Sequence, residues 1–446
     1  MAPNARETLE AALAAIERDD EAVNGMITVT ADAARDAADA ADRAAGEGRW
    51  LGLLHGMPLA IKDNIQTAGV RTTSGSLHFK DVVPNLDAVV VQRLKAAGAV
   101  IVGKATMQEL AFGIRSHNPV SGQCRNPWDL SKIPGGSSGG SGAVIAAGMA
   151  QGALGSDTGG SVRLPAAMNG VAGLRPTHGR VSNHGSTPVS ASYDTIGPMA
   201  RRVEDVARML AVMAREEPGS APTGAVGLGN FLPGLNDGVA GLRLGIPRNH
   251  YFEDCDDEIA EAVMTSVRLL EGRGAKVVEV DVAGAEGTHQ WATIQIYADA
   301  CAYHAARLDD HPELFSPPVR ERMLVGRSFT AVDYANACRA REAWQRTMAA
   351  LFQEIDILVS PTTPAPPPPI EEDKSLLEAT RDASRNTYAG GLGAYPGLSL
   401  PCGFSAAGLP MGMQMEAAWW AEPLLLRTGM AYQAVSDWHL ARPPLS

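Results

Sequence analysis

Serine and glycine crowd one stretch of the chain, Ser131 to Ser161, in which ten of 31 residues are glycine and six are serine. An apolar run from Ala143 to Ala150 interrupts it, which distinguishes the stretch from a solvated linker. Glycines beside serines, next to a predicted helix, indicate tight turns where hydroxyl and backbone N–H groups approach a ligand. This arrangement suits acyl transfer, because a hydroxyl attacks a carbonyl while N–H groups stabilise the oxyanion.

A lysine earlier in the chain is the second group with a possible chemical role. Lys62 follows five largely apolar residues, Met57 to Ile61, which predict a short buried strand that ends at the lysine. Burial disfavours the ammonium form and lowers the pKa, so a neutral Lys62 would act as a base. The residues alone also allow a purely structural ion pair between Lys62 and Asp63.

The motif G-x-S-x-G occurs twice in overlapping frames, centred on Ser137 and on Ser138. A nucleophile elbow of this kind needs an acidic residue and then a histidine downstream. Asp194, His289 and His439 are available, although no spacing singles them out. No Gly-Lys-Ser/Thr follows the glycines and no H-E-x-x-H occurs, which argues against a phosphate-binding loop and a zincin.

Composition restricts the class of protein. The 446 residues carry a net charge of −12, which argues against a protein that binds nucleic acid through phosphate contacts. Five widely spaced cysteines without a C-x-x-C pair indicate reduced thiols. Neither a membrane-spanning apolar run nor a signal peptide is evident. We therefore expect a cytoplasmic protein with neither a nucleic-acid nor a membrane partner.

Short apolar strands alternate with amphipathic helices along the sequence. The periodicity predicts helices over 5–18, 29–46 and 86–97, a strand over 99–103, and the start of another helix at 105–111. The alternation predicts an α/β fold with a mixed or parallel sheet covered by helices. A stretch rich in glycine and proline, 215–240, is expected to be a loop within the same domain.

Several long motifs, in preserved order, resemble the amidase signature family over nearly the whole chain. The Gly/Ser-rich signature spans Pro134–Ser182, the lysine motif spans Gly56–Ser76, and shorter matches lie at 103–113, 126–129, 194–201, 360–367 and 398–414. The resemblance implies one amidase domain over 1–446, built on a large twisted mixed β-sheet surrounded by α-helices. Its expected parts are N-terminal helices at 5–46, a signature core at 56–200 and a variable substrate-lining region at 215–390.

The resemblance also implies a Ser–cis-Ser–Lys triad. Carried over by motif, Ser161 is the nucleophile, Ser137 is the bridging serine preceded by a cis peptide bond, and Lys62 is the base. Lys62 takes the Ser137 proton while Ser137 takes that of Ser161. The family pattern places the oxyanion hole at four backbone N–H groups, those of Thr158, Gly159, Gly160 and Ser161.

Other residues of these motifs are expected to have supporting roles. Ser138 is expected to support the turn, with the alternative that it orients the triad. Asp157 is expected to accept backbone N–H bonds rather than to act as a catalytic acid. Arg163 is expected to form a structural ion pair, with the alternative that it holds a substrate carboxylate. The substrate pocket is expected near three residues, Gly113, Ile114 and Ile196. No metal or cofactor is expected.

The implied function is hydrolysis of a carboxamide to an acid and ammonia or an amine, through a Ser161 acyl-enzyme. We expect a stand-alone amidase that acts on a small apolar or aryl carboxamide, and the resemblance allows a homodimer. One alternative is the glutaminase A subunit of a tRNA-dependent amidotransferase, disfavoured here by the acidic charge and by the lack of a long C-terminal helical extension. Another is a Ser-His-Asp hydrolase that uses Ser137. A non-catalytic member of the fold is disfavoured because all three triad residues are present.

Overall fold

The structure is a computed structural model that describes residues 4–214 and 231–445. Within those ranges it contains fourteen α-helices and thirteen β-strands. The helices are α1 (Ala5–Val23), α2 (Ala31–Gly46), α3 (Val89–Ala96), α4 (Gly139–Ala146), α5 (Arg163–Asn169), α6 (Val203–Met213), α7 (Asp257–Glu271), α8 (Thr288–Tyr303), α9 (Ala305–Asp310), α10 (Pro317–Ser328), α11 (Ala331–Glu354), α12 (Leu376–Ser384), α13 (Tyr388–Gly393) and α14 (Glu422–Gln433). The strands are β1 (Met26–Val29), β2 (Pro58–Lys62), β3 (Val100–Ala105), β4 (His117–Asn118), β5 (Gly122–Gln123), β6 (Gly152–Asp157), β7 (Ala172–Arg175), β8 (Thr195–Ala200), β9 (Arg243–Pro247), β10 (Lys276–Val280), β11 (Ile357–Pro361), β12 (Gly397–Phe404) and β13 (Pro410–Glu416).

Eleven of the described strands form one mixed sheet in the order β1-β3-β2-β6-β8-β7-β12-β13-β11-β9-β10. This confirms the predicted α/β class. Strand β2 runs parallel to both β3 and β6, while β6 is antiparallel to β8. Because β2 and β6 are parallel neighbours, their carboxyl ends lie at the same edge of the sheet. Lys62 ends β2 and Asp157 ends β6, so the sheet itself brings the two sequence motifs together.

The centre of the sheet is covered on both faces, which explains why its strands read as continuous apolar runs rather than alternating ones. Every residue of β2 and of β6 is buried. On one side Ile61 and Leu154 belong to a core that includes α6 and α7. On the other, Ala60 and Ala153 pack with the helix α4, which the Gly/Ser-rich stretch supplies. The two sequence motifs therefore rest on strands that are packed on both sides.

The helices predicted over 5–18 and 29–46 are present as α1 and α2, and β1 overlaps the second range only at Val29. One prediction about local structure needs correction. Residues 105–111 do not begin an α-helix. Only a single 3₁₀ turn forms at Glu109–Ala111, with Leu110 and Ala111 in the left-handed region at φ 53° and 56°. The buried Glu109 carboxylate accepts bonds from the Ser76 hydroxyl and the Ser316 N–H, and this tertiary anchoring overrides helix propensity.

The predicted loop at 215–240 lies largely outside the described residues, which resume at 231 with a series of turns. Among the helices in 4–214 and 231–445, none combines the length and the apolar character needed to cross a membrane.

Candidate active site

Lys62 meets two serine hydroxyls at the end of β2. Its Nζ lies 2.7 Å from Ser137 Oγ and 2.8 Å from Ser156 Oγ, and the Ser156 carbonyl oxygen is 3.4 Å away. The side chains of Lys62 and Ser137 are fully buried. Asn64 holds Ser156 in place by donating a hydrogen bond to its hydroxyl over 3.2 Å. The base and the bridging serine predicted from the sequence are therefore in direct contact.

The environment of Lys62 favours the neutral amine. Burial lowers the pKa of Lys62 from 10.5 to about 7, and the negative charges of Asp194 and Asp157 oppose this shift only in part. Lys62 forms no ion pair with the neighbouring Asp63. Instead Asp63 faces Lys104, whose Nζ lies 3.5 Å from Asp63 Oδ1. The structural alternative for Lys62, a pair with Asp63, is thus not what the structure contains.

The peptide bond between Gly136 and Ser137 is cis. Ser138 supports the turn as expected, because its hydroxyl both donates to the Ser156 carbonyl over 3.3 Å and accepts from the Ser156 N–H over 3.2 Å. The Ser138 N–H donates to the carbonyl of Ser161 over 3.3 Å. The two serine-bearing turns, 24 residues apart in sequence, therefore lie side by side.

Asp157 shapes the turn that carries Ser161. Its carboxylate accepts the N–H of Gly160 over 2.8 Å and the N–H of Val162 over 3.2 Å. Asp157 is thus the structural acceptor that the sequence predicted. The bond to Gly160 corrects another expectation, since that N–H is already used and is not free to bind an oxyanion. The donors left for an oxyanion hole are the N–H groups of Thr158, Gly159 and Ser161.

Arg163 is the centre of a buried ion network. Its Nε lies 3.1 Å from Asp157 Oδ2 and its Nη1 lies 3.2 Å from Glu416 Oε1, while Arg175 approaches Asp157 to 3.1 Å. Burial alone would raise the pKa of Asp157, but the two guanidinium groups outweigh burial and hold that pKa below its ordinary value. Arg163 is fully buried and does not line the cavity beside Ser161. The structural ion pair is therefore present, and the alternative that Arg163 holds a substrate carboxylate is not supported.

A narrow cavity of about 30 Å³ opens beside Ser161. Gly113 and Ile114 line it as predicted. Ile196 does not, because it lies in the hydrophobic core beneath the sheet. The full lining consists of Ala111, Phe112, Gly113, Ile114, Thr158, Gly159, Ser161, Leu164, Val189, Ile296, Arg322, Thr380, Ser384 and Tyr388.

Two polar residues of the site escaped the sequence reasoning, and a third was considered for another role. Ser156 contacts Lys62, and Arg322 places a buried guanidinium in the cavity wall. Asp194, considered as the acid of a nucleophile elbow, bonds the Thr158 hydroxyl instead. Ser156 is the residue before the last in β6, and nothing in the local sequence marks it as a contact of Lys62. Arg322 lies on α10, and nothing in the local sequence distinguishes it from the other arginines.

The Ser-His-Asp alternative finds no support in the described residues. The hydroxyl of Ser137 faces Lys62 rather than an imidazole. His289 stacks its ring on Tyr388, and burial lowers the pKa of His289 to about 4. Asp194, the acidic partner considered for an elbow, is bonded to Thr158. In the part of the chain that the structure describes, no group of three or more His, Cys, Asp or Glu residues has the arrangement of a metal site.

Comparison with known proteins decides the family. The amidase family model matches residues 7–426. The chain belongs to the amidase family. A curated relative from Roseiflexus sp. (strain RS-1), the A subunit of glutamyl-tRNA(Gln) amidotransferase, is 39% identical over 98% of this chain and 94% of its own.

Solved structures agree with the family on the fold. One match is a chain from the structure of a vestigial protein complex that reveals the evolutionary origins of an s-triazine catabolic enzyme. Its TM-score is 0.92 at 34% identity, and the match covers 99% of this chain and 96% of that one. The native peptide amidase from Stenotrophomonas maltophilia matches with a TM-score of 0.84 at 30% identity, over 100% and 95% of the two chains.

These relatives overturn one expectation from the sequence. The acidic charge led us to expect no nucleic-acid partner, but further curated relatives are also A subunits of glutamyl-tRNA(Gln) amidotransferase by name. That name describes one part of an enzyme that acts on glutamyl-tRNA. The match to the Roseiflexus relative covers 98% of this chain and 94% of that protein, so chain length does not argue against the similarity. Net charge misled because it reports the whole surface of one chain and not the partners of an assembly.

Proposed function

We propose that the protein hydrolyses a small carboxamide that carries a carboxylate, and that it releases ammonia from glutamine as the A subunit of a tRNA-dependent amidotransferase. The names of the curated relatives support the assembly and the amide donor. A buried, positively charged residue in the cavity wall supports the carboxylate. This proposal takes the amidotransferase alternative over the stand-alone aryl amidase that the sequence favoured.

The proposed chemistry begins at the contact between Lys62 and Ser137. Neutral Lys62 accepts the Ser137 proton while Ser137 accepts that of Ser161, and the Ser161 oxygen bonds to the amide carbon. The N–H groups of Thr158, Gly159 and Ser161 stabilise the oxyanion. The carbon–nitrogen bond then breaks, and the proton returns along the same path to the leaving nitrogen, which departs as ammonia. Water attacks the ester, releases the acid and restores the Ser161 hydroxyl.

The observation that carries the substrate class is Arg322. Its side chain is 2% exposed and lines the cavity with Ser161. The guanidinium donates to the carbonyl of Phe112 and the hydroxyl of Thr380, both over 3.0 Å, and contacts the hydroxyl of Tyr297. All three partners are neutral, and no salt bridge joins Arg322 to an acidic side chain in the described part of the chain. A buried charge is costly unless an opposite charge meets it, so a carboxylate on the substrate completes the site.

The ring contacts of Arg322 fix the guanidinium where such a carboxylate would arrive. Its centre lies 4.3 Å from the Phe112 ring and 4.9 Å from the Tyr297 ring, distances typical of cation–π contacts. The Nε atom is buried without a hydrogen-bond partner in the described part of the chain. The guanidinium therefore keeps one N–H donor without an acceptor, while the two ring contacts fix the orientation of its plane.

A stand-alone amidase is the second candidate. It is favoured by the contact between Lys62 and Ser137 over 2.7 Å, since this contact needs no residue from another chain. The similarity to a peptide amidase points the same way. The two candidates differ in whether ammonia leaves to solvent or passes to an acceptor on tRNA.

Ammonia release from glutamine, from 4-aminobutanamide and from benzamide tests the substrate class. 4-Aminobutanamide lacks only the carboxylate of glutamine. We expect Arg322→Met to raise KM for glutamine about 10- to 100-fold, the equivalent of about 1.5–3 kcal/mol for a hydrogen bond to a charged group, and to leave 4-aminobutanamide unaffected. Arg327→Met is the matched control, because Arg327 lies on the same helix in an exposed pair with Asp309.

Two results would contradict the proposal. If benzamide is the better substrate and Arg322→Met leaves KM for glutamine unchanged, the carboxylate-bearing substrate is wrong. The second result has two parts: the chain alone hydrolyses glutamine at full rate, and no ammonia reaches glutamyl-tRNA when the other subunits of an amidotransferase are added. In that case the proposal of a stand-alone amidase replaces that of an amidotransferase subunit.

A further inference from the structure

One buried carboxylate joins the two walls that flank Ser161. Asp194 Oδ1 accepts the Thr158 hydroxyl over 2.6 Å, and Oδ2 accepts the N–H groups of Val189 over 2.8 Å and of Ser190 over 3.2 Å. Thr158 begins the turn that carries Ser161, and both Thr158 and Val189 line the cavity. The two oxygens of Asp194 therefore fasten the catalytic turn and the opposite wall to a single group.

The fold holds Asp194 itself in place. The residue precedes β8, whose first residue Thr195 pairs with Asp157 at the end of β6. The Asp194 N–H donates to the Ser190 carbonyl over 2.8 Å, and its own carbonyl accepts from the Asn183 side chain. The carboxylate is thus fixed to the same pair of strands that supports Ser161. Bonds from a hydroxyl and from N–H groups to a carboxylate are among the strong hydrogen bonds of proteins.

We propose that Asp194 is the positioning residue of the site, which keeps the oxyanion-binding turn and the substrate wall at a fixed separation and directs a negative charge at Lys62. The inference rests on the proposed function, because it takes the turn at 157–161 as the turn that binds the oxyanion. Asp194 touches neither substrate nor nucleophile in this role. It acts through Thr158, Val189 and Lys62.

The charges around Lys62 define what Asp194 contributes. Asp194 and Asp157 are the two carboxylates whose charges act on Lys62. Asp157 is paired with Arg163 and Arg175, whereas Asp194 has only hydroxyl and N–H partners. Burial raises the pKa of Asp194 to about 6, so it is ionised where Lys62 becomes neutral. Its charge favours the ammonium form of Lys62, and removing that charge lowers the pKa of Lys62 further below 7.

Two variants separate charge from geometry. In Asp194→Asn the amide oxygen still accepts from Val189 and Ser190, and the amide nitrogen donates to the Thr158 hydroxyl. The shape is kept and the charge is lost. In Asp194→Ala both walls lose their anchor. Thr158→Val removes the bond to the catalytic turn alone. The matched control is Asp205→Asn, because Asp205 is another buried aspartate, which accepts a bond from Gln151 and lies outside the cavity.

The first readout is independent of turnover. The protonation of Lys62 is followed by NMR of lysines labelled at Cε, with the signal assigned by its loss in Lys62→Met. We expect the Lys62 titration to move to lower pH in Asp194→Asn and to stay in place in Asp205→Asn. An unmoved titration in Asp194→Asn overturns the proposal, whatever the activity of the enzyme.

The second readout is steady-state kinetics on glutamine. We expect Thr158→Val to lower kcat about tenfold with little change in KM, since one bond that orients an oxyanion donor is lost. Asp194→Ala should lower kcat about 100-fold and also raise KM, because a displacement near 1 Å has effects of this size. Wild-type kinetics in Asp194→Ala overturn the proposal. Ammonia release that persists in Ser161→Ala overturns the proposed function instead, which keeps the two failures distinct.

Discussion

Lowering the pH tests whether Lys62 is the base. Because burial lowers its pKa from 10.5 to about 7, we expect kcat/KM for glutamine to be constant above about pH 8. Below pH 7 the neutral fraction of Lys62 falls about tenfold per pH unit, to about 10% at pH 6. A lysine of ordinary pKa would be about 0.03% neutral at pH 7, so the structural environment of Lys62 increases the amount of base roughly 1,000-fold. Protonation of Asp194, whose pKa burial raises to about 6, removes a charge that favours the ammonium form of Lys62, so the loss should become shallower below that pH.

The assay is a discontinuous measurement of ammonia release between pH 5 and pH 8.5, a range in which the glutamine carboxamide and carboxylate do not titrate. Thermal unfolding at each pH serves as the control for loss of fold. Lys62→Arg, which stays charged, should be inactive throughout the range. The reasoning is refuted if kcat/KM keeps rising about tenfold per pH unit up to pH 8.5 without a plateau. A limb near pH 7 that survives in an active Lys62→Ala variant would refute it as well.

Three further predictions concern stability and the catalytic turn. Lys62→Met should raise the midpoint of thermal unfolding at pH 7, and the gain over the wild type should shrink between pH 7 and pH 10.5. In that range the unfolded wild type binds a proton at Lys62 that the folded protein does not bind. Unfolding scans at several pH values check this, and a pH-independent difference contradicts it. Gly159→Ala places a Cβ 2.5 Å from the Tyr388 ring, so the turn must shift. We expect kcat to fall at least about tenfold while the fold is retained. Kinetics and circular dichroism measure the two effects, and an unchanged kcat would contradict the prediction. Arg163→Leu leaves Glu416 buried without its partner and leaves Asp157 with Arg175 alone. Calorimetry should show a loss of about 3–5 kcal/mol, whereas an unaltered unfolding temperature would mean that the network contributes little.

The sequence allowed prediction of those parts of the site that local segments determine. Lys62 was identifiable because an apolar run predicts a buried strand, and a buried lysine has a lowered pKa. Ser137 and Ser161 were identifiable by their motif, and the short α4–β6 unit between them leaves little freedom in how they meet. The prediction of a helix at 105–111 failed because a buried carboxylate, which is bonded to two segments distant in sequence, overrides helix propensity.

The residue proposed to bind the substrate carboxylate and the ion network behind the catalytic turn were beyond prediction because their contacts are distant in sequence. Arg322 lies 161 positions after Ser161, on a helix whose placement depends on packing against α8 and α12. Glu416, which meets Arg163, is 253 positions away from it. Ile196 was assigned to the pocket by its motif, yet the alternation of a strand turns its side chain into the core. Local patterns specify elements, and only the packed fold specifies which of them share a cavity.

Covalent labelling of the nucleophile tests the mechanism most directly. The wild type and Ser161→Ala are treated at pH 8 with a serine-reactive fluorophosphonate, with and without excess glutamine, and the labelled peptide is mapped by mass spectrometry. We predict one phosphonyl group on Ser161, slower labelling in the presence of glutamine, and none in Ser161→Ala. A label on Ser137 or Ser138 in an enzyme that releases ammonia from glutamine would contradict the assignment of Ser161 as the nucleophile.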